Sequence, residues 1–207
     1  MQRRSFINNS LLATSSLFFF PVSITACQDQ KGEFTQTVRE KAVFLLEQWC
    51  KGLYSLQTID PANPEVHGGI YSPGDNAYPG RCADAIYPLL WMASRTKDKK
   101  YLQAALDVYQ WEQNNCWNEE YGCWFNDPGE SDGWKSISVF SAITKMEAIE
   151  HYGDLLEEKE LYEWKNRLLR VAEYIYTTFH IGYANINYPA SATLAMQMLG
   201  KLFNEEK

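Results

Sequence analysis

Two kinds of helical pattern alternate along this chain, and that alternation restricts its fold more than any other feature. Phe34, Val38, Ala42, Leu45, Trp49, Leu53 and Leu56 step by three and four residues. So do Leu102, Ala105 and Tyr109, and later Leu161, Trp164, Leu168, Val171, Ile175 and Phe179. Each set marks a helix with one apolar stripe and a polar remainder. Between and after them, residues 83–94, 138–152 and 189–203 are apolar or small around most of their circumference. A helix of that kind is buried on most sides. Pro88 and Pro189 fall in first turns, where a missing N–H costs little. The order predicts an all-α fold of antiparallel hairpins, each of which buries its inner face only against its neighbours.

The connections alternate as well. Links from an apolar helix to an amphipathic one are short and charged, at 96–100 and 154–160. Links in the other direction are long, at 59–82, about 117–137 and 181–188. The apolar helices begin near residues 83, 137 and 189, a repeat of roughly fifty residues. In a row of antiparallel hairpins, links of one kind share one rim. Three long loops gathered on one rim over the ends of buried helices are where a binding site is expected.

Residues 1–26 read as an export signal and stand outside the fold. Arg3 and Arg4 precede a short apolar run, LLATSSLFFFPVSI, which is too short and interrupted for a membrane span. RRSFI resembles a twin-arginine signal, although Asn8 stands where a basic residue is usual, so the general secretory route stays open. Ile24 to Cys27 read ITAC and resemble a bacterial lipobox, which implies lipid on Cys27, a polar tether over 27–33 and a folded domain over 34–207. Cleavage near Ala26 without lipid is the simpler alternative. In both cases the chain is expected outside the cytoplasm, at the cell envelope, with a membrane contact through the anchor.

Composition narrows the partners. The net charge is −7, and Arg3 and Arg4 are the only charges before residue 28, which leaves about −9 on the remainder. Such a surface opposes nucleic acid, whose phosphates need Lys and Arg. No Gly-rich phosphate loop, C-x-x-C pair or His cluster suggests a cofactor or metal. Cys50, Cys82, Cys116 and Cys123 read as buried thiols, with Cys116 and Cys123 the pair a disulfide would join. Seven Trp and thirteen Tyr build cores, and their faces are also platforms for sugar rings.

Alternating outer and inner helices with elaborated loops on one rim, as in GGIYSPGDNAYPGRCADAIYP, WNEEYGCWFNDPGESDGW and NINYPASATLA, resemble the six-hairpin (α/α)6 toroid superfamily. That group holds glycoside hydrolases, unsaturated uronyl hydrolases and heparinase-like polysaccharide lyases, many of them exported lipoproteins. The resemblance implies a carbohydrate substrate. About three hairpins are present, half of a toroid, and self-association is one way to complete it. No family motif matches residue by residue, so no catalytic role is carried over.

Candidate site residues therefore come from the rim loops. Glycosidic hydrolysis needs two carboxyl groups across the bond, one protonated and one ionised. Asp75, Asp84 and Asp132 are the candidates for that role. Each also has a plain structural reading: Asp75 and Asp132 as turn residues, Asp84 as a helix cap. His67, Tyr78, Arg81, Trp124, Trp134, Asn187 and Tyr188 are the candidates for substrate binding. Trp124 and Trp134 are expected to offer exposed stacking faces, and Arg81 has the fork to hold a uronate carboxylate. The leading expectation is an exported hydrolase acting on uronate-containing chains. A β-eliminating lyase using His67, Tyr78, Arg81 and Asn187 is the alternative, and a non-catalytic sugar-binding protein is the third.

Overall fold

A computed structural model describes residues 26–128, 135 and 137–204, with side chains described from residue 37 onward. The signal segment through Ile24, together with Asp132 and Trp134, lies outside the described residues, and so does the side chain of Cys27. The described residues are mainly helical. Six α-helices run as α1 Ala26–Leu56, α2 Ile86–Thr96, α3 Lys99–Asn115, α4 Ile137–Tyr152, α5 Glu158–Thr178 and α6 Asn187–Asn204. A 3-10 turn at Gly80–Ala85 leads into α2, and another at Gly153–Leu155 follows α4. The chain divides into two compact units after Ala42, a point inside α1. Of the first unit, the described part is the start of α1, whose side chains from Thr37 to Ala42 are exposed. The helix begins at Ala26 and includes residues 27–33. Their Gln, Lys and Glu are good helix formers.

In the second unit the alternation of the sequence becomes geometry. Helices α2, α4 and α6 pack in a row, α3 packs on α2, and α5 packs on α4 and α6. The turn from α2 to α3 uses Lys97 at φ 59° as the helix stop and Asp98 as the next N-cap, accepting from the Lys100 N–H at 3.1 Å. Helix α5 starts with a capping box between Glu157 and Glu160 and buries Trp164, Leu168, Val171 and Ile175, the stripe read from its sequence. Tyr109 of α3 stacks on Trp164 at 4.5 Å. Helix α4 is buried around most of its surface, as expected of its composition.

Two expectations change. The apolar stripe of α1 is not its packing face: Leu45, Trp49 and Leu56 are exposed, while Cys50 is buried and donates to the Pro88 carbonyl at 3.3 Å. The α1 face toward α2 is the flank that carries Glu47 and Cys50, and Arg95 of α2 bonds Glu47 at 2.6 Å. Helix α6 was expected to be buried on most sides, yet it buries only Pro189, Ala192, Ala195 and Leu199. Among the described residues no element covers Leu45 and Trp49 of α1, or Leu194 of α6, the helix at one end of the row.

The loop after α3 holds a short antiparallel hairpin, β1 Trp117–Asn118 and β2 Cys123–Trp124, with Trp117 opposite Trp124. Gly122, at φ 63°, closes its turn. The hairpin went unread in the sequence because its strands are two residues long, too short for a period-two pattern. All four cysteines of the domain are free thiols.

Candidate functional site

The long loop before α2 is locked against α3 before it reaches the rim. Gln57 donates to the carbonyls of Gly68 and Ala104, at 3.1 and 2.9 Å. Gly68 sits at φ 85°, and a Cβ there would lie 2.2 Å from the Asp107 carbonyl oxygen. A Cβ on Gly69 would meet the rings of Trp111 and Tyr78 at 2.9 Å. The two glycines after His67 thus admit α3 rather than a ligand. The Trp111 indole donates to the Glu65 carbonyl at 2.9 Å, and Tyr78 and Thr58 share a hydroxyl hydrogen bond at 2.8 Å.

The second long loop joins the first through Asn126. Its carbonyl accepts from the Gly80 N–H at 2.6 Å, and its side-chain oxygen accepts from the Arg81 N–H at 3.0 Å. A Cβ on Gly80 would lie 2.5 Å from the Phe125 carbonyl oxygen, so only glycine allows this close approach. Between the loops and the C-terminal end of α3 opens a groove of about 1060 Å³. Asp75, Tyr78, Arg81, Trp111, Asn114 and Asn126 are on its wall, and Asp127 stands beside them.

Arg81 is held from two sides. Its Nε lies 2.5 Å from an Asp84 carboxylate oxygen, and its guanidinium carbon lies 4.4 Å from the centre of the Phe140 ring. Asp84 in turn accepts from Thr144 at 3.3 Å. The side chain of Arg81 stays 42% exposed, so its remaining donors are accessible. Asp84 positions Arg81 and is not on the groove wall. Asp75 reaches the groove but accepts from Ser72 at 2.6 Å, as a turn carboxylate does.

A buried ion pair joins α3 to α4. Glu112 of α3 and Lys145 of α4 meet at 2.6 Å with side-chain exposures of 0% and 1%. Burial pushes the Glu112 carboxyl above its usual range, and Lys145 opposes that shift. The Lys145 ammonium lies 4.3 Å from the centre of the Trp124 ring. Trp124 is fully buried, which corrects the expectation of an exposed stacking face: it caps this pair and cannot meet a substrate. The pair was missed in the sequence because Glu112 and Lys145 look like ordinary charged positions on helices.

The remaining candidates are elsewhere. His67 is half-buried and off the groove wall, with its Nδ1 facing the interior. Asn187 is exposed at the start of α6, and Tyr188 packs among Phe140, Phe179 and Tyr183. The groove therefore gathers Asp75, Tyr78 and Arg81, with Asp84 behind, and adds Asn114, Asn115, Asn126 and Trp111. Amide side chains near a helix end carry no sequence signal that separates them from surface residues. Among the described residues, no group of three His, Cys, Asp or Glu converges to hold a metal.

Residues 46–207 match the family described as the ulvan lyase N-terminal domain. A broad-specificity ulvan lyase of Formosa agariphila is 38% identical over 204 residues, covering 97% of this chain and 31% of the relative. The chain thus spans about a third of that relative's length. No solved structure matches significantly.

Proposed function

The chain belongs to the ulvan lyase N-terminal domain family, and from that premise we propose that it supplies the helical part of an enzyme cleaving a uronate-bearing polysaccharide by β-elimination. The family favours the lyase alternative over the hydrolysis that the sequence suggested first. The observation that carries the reading is Arg81, fixed by Asp84 and Phe140 yet open to the groove beside Tyr78.

Elimination removes the proton on the carbon next to the uronate carboxylate. A C=C bond forms, the neighbouring C–O bond to the leaving sugar breaks, and the departing oxygen takes up a proton. The proton is acidic enough only when the carboxylate charge is neutralised. Arg81 is suited to that task because its planar fork can pair with both carboxylate oxygens. Tyr78 is the phenol on the same wall and the group that would exchange protons with the substrate, with Thr58 holding its hydroxyl. Asn114, exposed on the wall, offers its amide N–H groups to sugar hydroxyls, its oxygen already accepting from Gln110. The same reading takes the row α2, α4 and α6 as inner helices of an α/α toroid. It also places the protein at the cell envelope on a Cys27 lipid, supported by Arg3, Arg4 and the ITAC sequence.

The test is incubation of the full chain with ulvan, followed by the ultraviolet absorbance of unsaturated ends. Activity is expected to fall at least a hundredfold in R81Q and in Y78F, within the range typical of general acid–base groups. D84N should lose less, because Phe140 still supports the guanidinium. New reducing ends without absorbance would sink the elimination reading.

A further inference from the structure

Beyond the groove, the surface between α3 and α5 carries a second set of groups suited to a sugar. A hollow of about 340 Å³ is bordered by Gln113 and Asn114 of α3 and by Glu163, Asn166, Arg167 and Arg170 of α5. Asn114 lies on the wall of both this hollow and the groove, so the two adjoin.

The two arginines are mounted rather than loose. The guanidinium of Arg167 lies 4.2 Å from the centre of the Trp117 ring, and that of Arg170 lies 5.4 Å from it. Both bond the carboxylate of Glu119, Arg167 at 3.3 Å and Arg170 more closely, and Arg170 also reaches the Glu119 carbonyl at 3.3 Å. The Trp117 indole N–H donates to the same carboxylate at 2.6 Å. Two cations therefore share one anion. Glu163, the other carboxylate at the hollow, has Lys159 at 3.8 Å. Arg167, Arg170, Glu119 and Glu163 thus balance at the hollow, on a chain whose net charge is −7. Arg167 and Arg170 remain 30% and 44% exposed, and three bonds to Glu119 leave most of their N–H donors open.

We propose that this hollow is a second saccharide site, which takes a carboxylate- or sulfate-bearing sugar unit of the chain whose other units occupy the groove. Arg167 and Arg170 hold the oxyanion in their forks, and the amides of Asn114 and Asn166 meet ring hydroxyls. Asn114 is the step between the two sites. The inference rests on the reading of the groove as a polysaccharide site, but its own signature is dependence on chain length.

Isothermal titration of the full chain with long polygalacturonate, digalacturonate and neutral dextran separates the alternatives. In R167Q/R170Q, affinity for the long polymer is expected to drop about tenfold, as loss of charge-assisted contacts implies. Binding of digalacturonate, short enough for the groove alone, should not change. R167K/R170K keeps charge but not the fork and should fall between. E119Q releases both guanidiniums and should tighten the long polymer while slightly lowering the melting temperature. If the arginines only clamp the hairpin, E119Q and R167Q/R170Q will both lower the melting temperature and leave polymer affinity unchanged. That result overturns the proposal, as does equal weakening by E119Q. Inorganic sulfate competing with the long polymer in wild type, but not in R167Q/R170Q, would support the oxyanion role. Failure of R81Q to affect digalacturonate would instead count against the groove reading and leave this site standing.

Discussion

The hairpin after α3 joins two carboxylate–cation clusters that are chemically alike and differ in burial. At its inner strand β2, Glu112 and Lys145 meet under Trp124 with almost no exposure. At its outer strand β1, Glu119 meets Arg167 and Arg170 over Trp117, with Glu119 69% exposed. The two indoles are cross-strand partners, 5.2 Å apart edge to face. Their surroundings set the outcome. Burial raises the pKa of Glu112 against the pull of Lys145. The Trp117 indole, Arg170 and Arg167 hold Glu119 down at about 2, with little burial to oppose them. In a low dielectric an ion pair is an obligation, because either charge alone is strongly penalised. In water the same pair costs little to break, which leaves its cations free to serve a ligand.

The sharpest way to break this comparison is Lys145→Met. It leaves Glu112 buried without its partner and is expected to cost about 3–5 kcal/mol in chemical denaturation. Adding Glu112→Gln should recover most of that loss, since the penalty belongs to the orphaned charge and not to the missing bond. A small effect of the single variant would mean that water reaches the pair and that the two clusters do not differ.

Gly80→Ala probes the packing beside the inner strand by volume rather than charge. The added methyl would lie 2.5 Å from the Phe125 carbonyl oxygen and 3.1 Å from the Cys116 sulfur, in backbone and core that cannot step aside. A loss of about 1–3 kcal/mol is expected from such overpacking. Because Gly80 and Arg81 both bond Asn126, saccharide binding in the groove should weaken in parallel. Stability that falls with groove affinity unchanged would show that the two loops act separately.

Much of the fold was legible because helix burial follows from periodicity. The stripe Trp164, Leu168, Val171 and Ile175 and the all-round burial of α4 follow from period 3.6 alone. The stripe of α1 misled because periodicity names an apolar face without naming what covers it, and Leu45 and Trp49 have no cover among the described residues. At the groove, Tyr78 and Arg81, both read from the first long loop, share a wall. Trp124 was misplaced because an aromatic residue in a polar loop reads as exposed unless the loop forms a hairpin. Nothing in the sequence reveals that position 124 is fully buried while its cross-strand partner 117 is half-buried under Arg167. The pairing of Glu112 with Lys145, far apart in the chain, is a product of tertiary packing and leaves no local mark.

The smallest expected effect belongs to the outer strand, and it is read by pH. Glu119 is held at about 2 in the folded chain, against the ordinary 4.5 of a glutamate. A depressed folded pKa gives stability that is fully present above the unfolded value and is lost as pH falls through the folded one. The contribution of Glu119 is therefore constant from pH 7 down to about 4.5 and fades between 4.5 and about 2. Thermal unfolding of wild type and E119Q should give a small, constant difference near neutrality that shrinks across that acid window. The same series in high salt should shrink the difference at every pH, because exposed charges are screened. If the difference instead stayed large at pH 2 or in salt, Glu119 would be acting through packing, and the contrast between the two strands of the hairpin would not be one of dielectric.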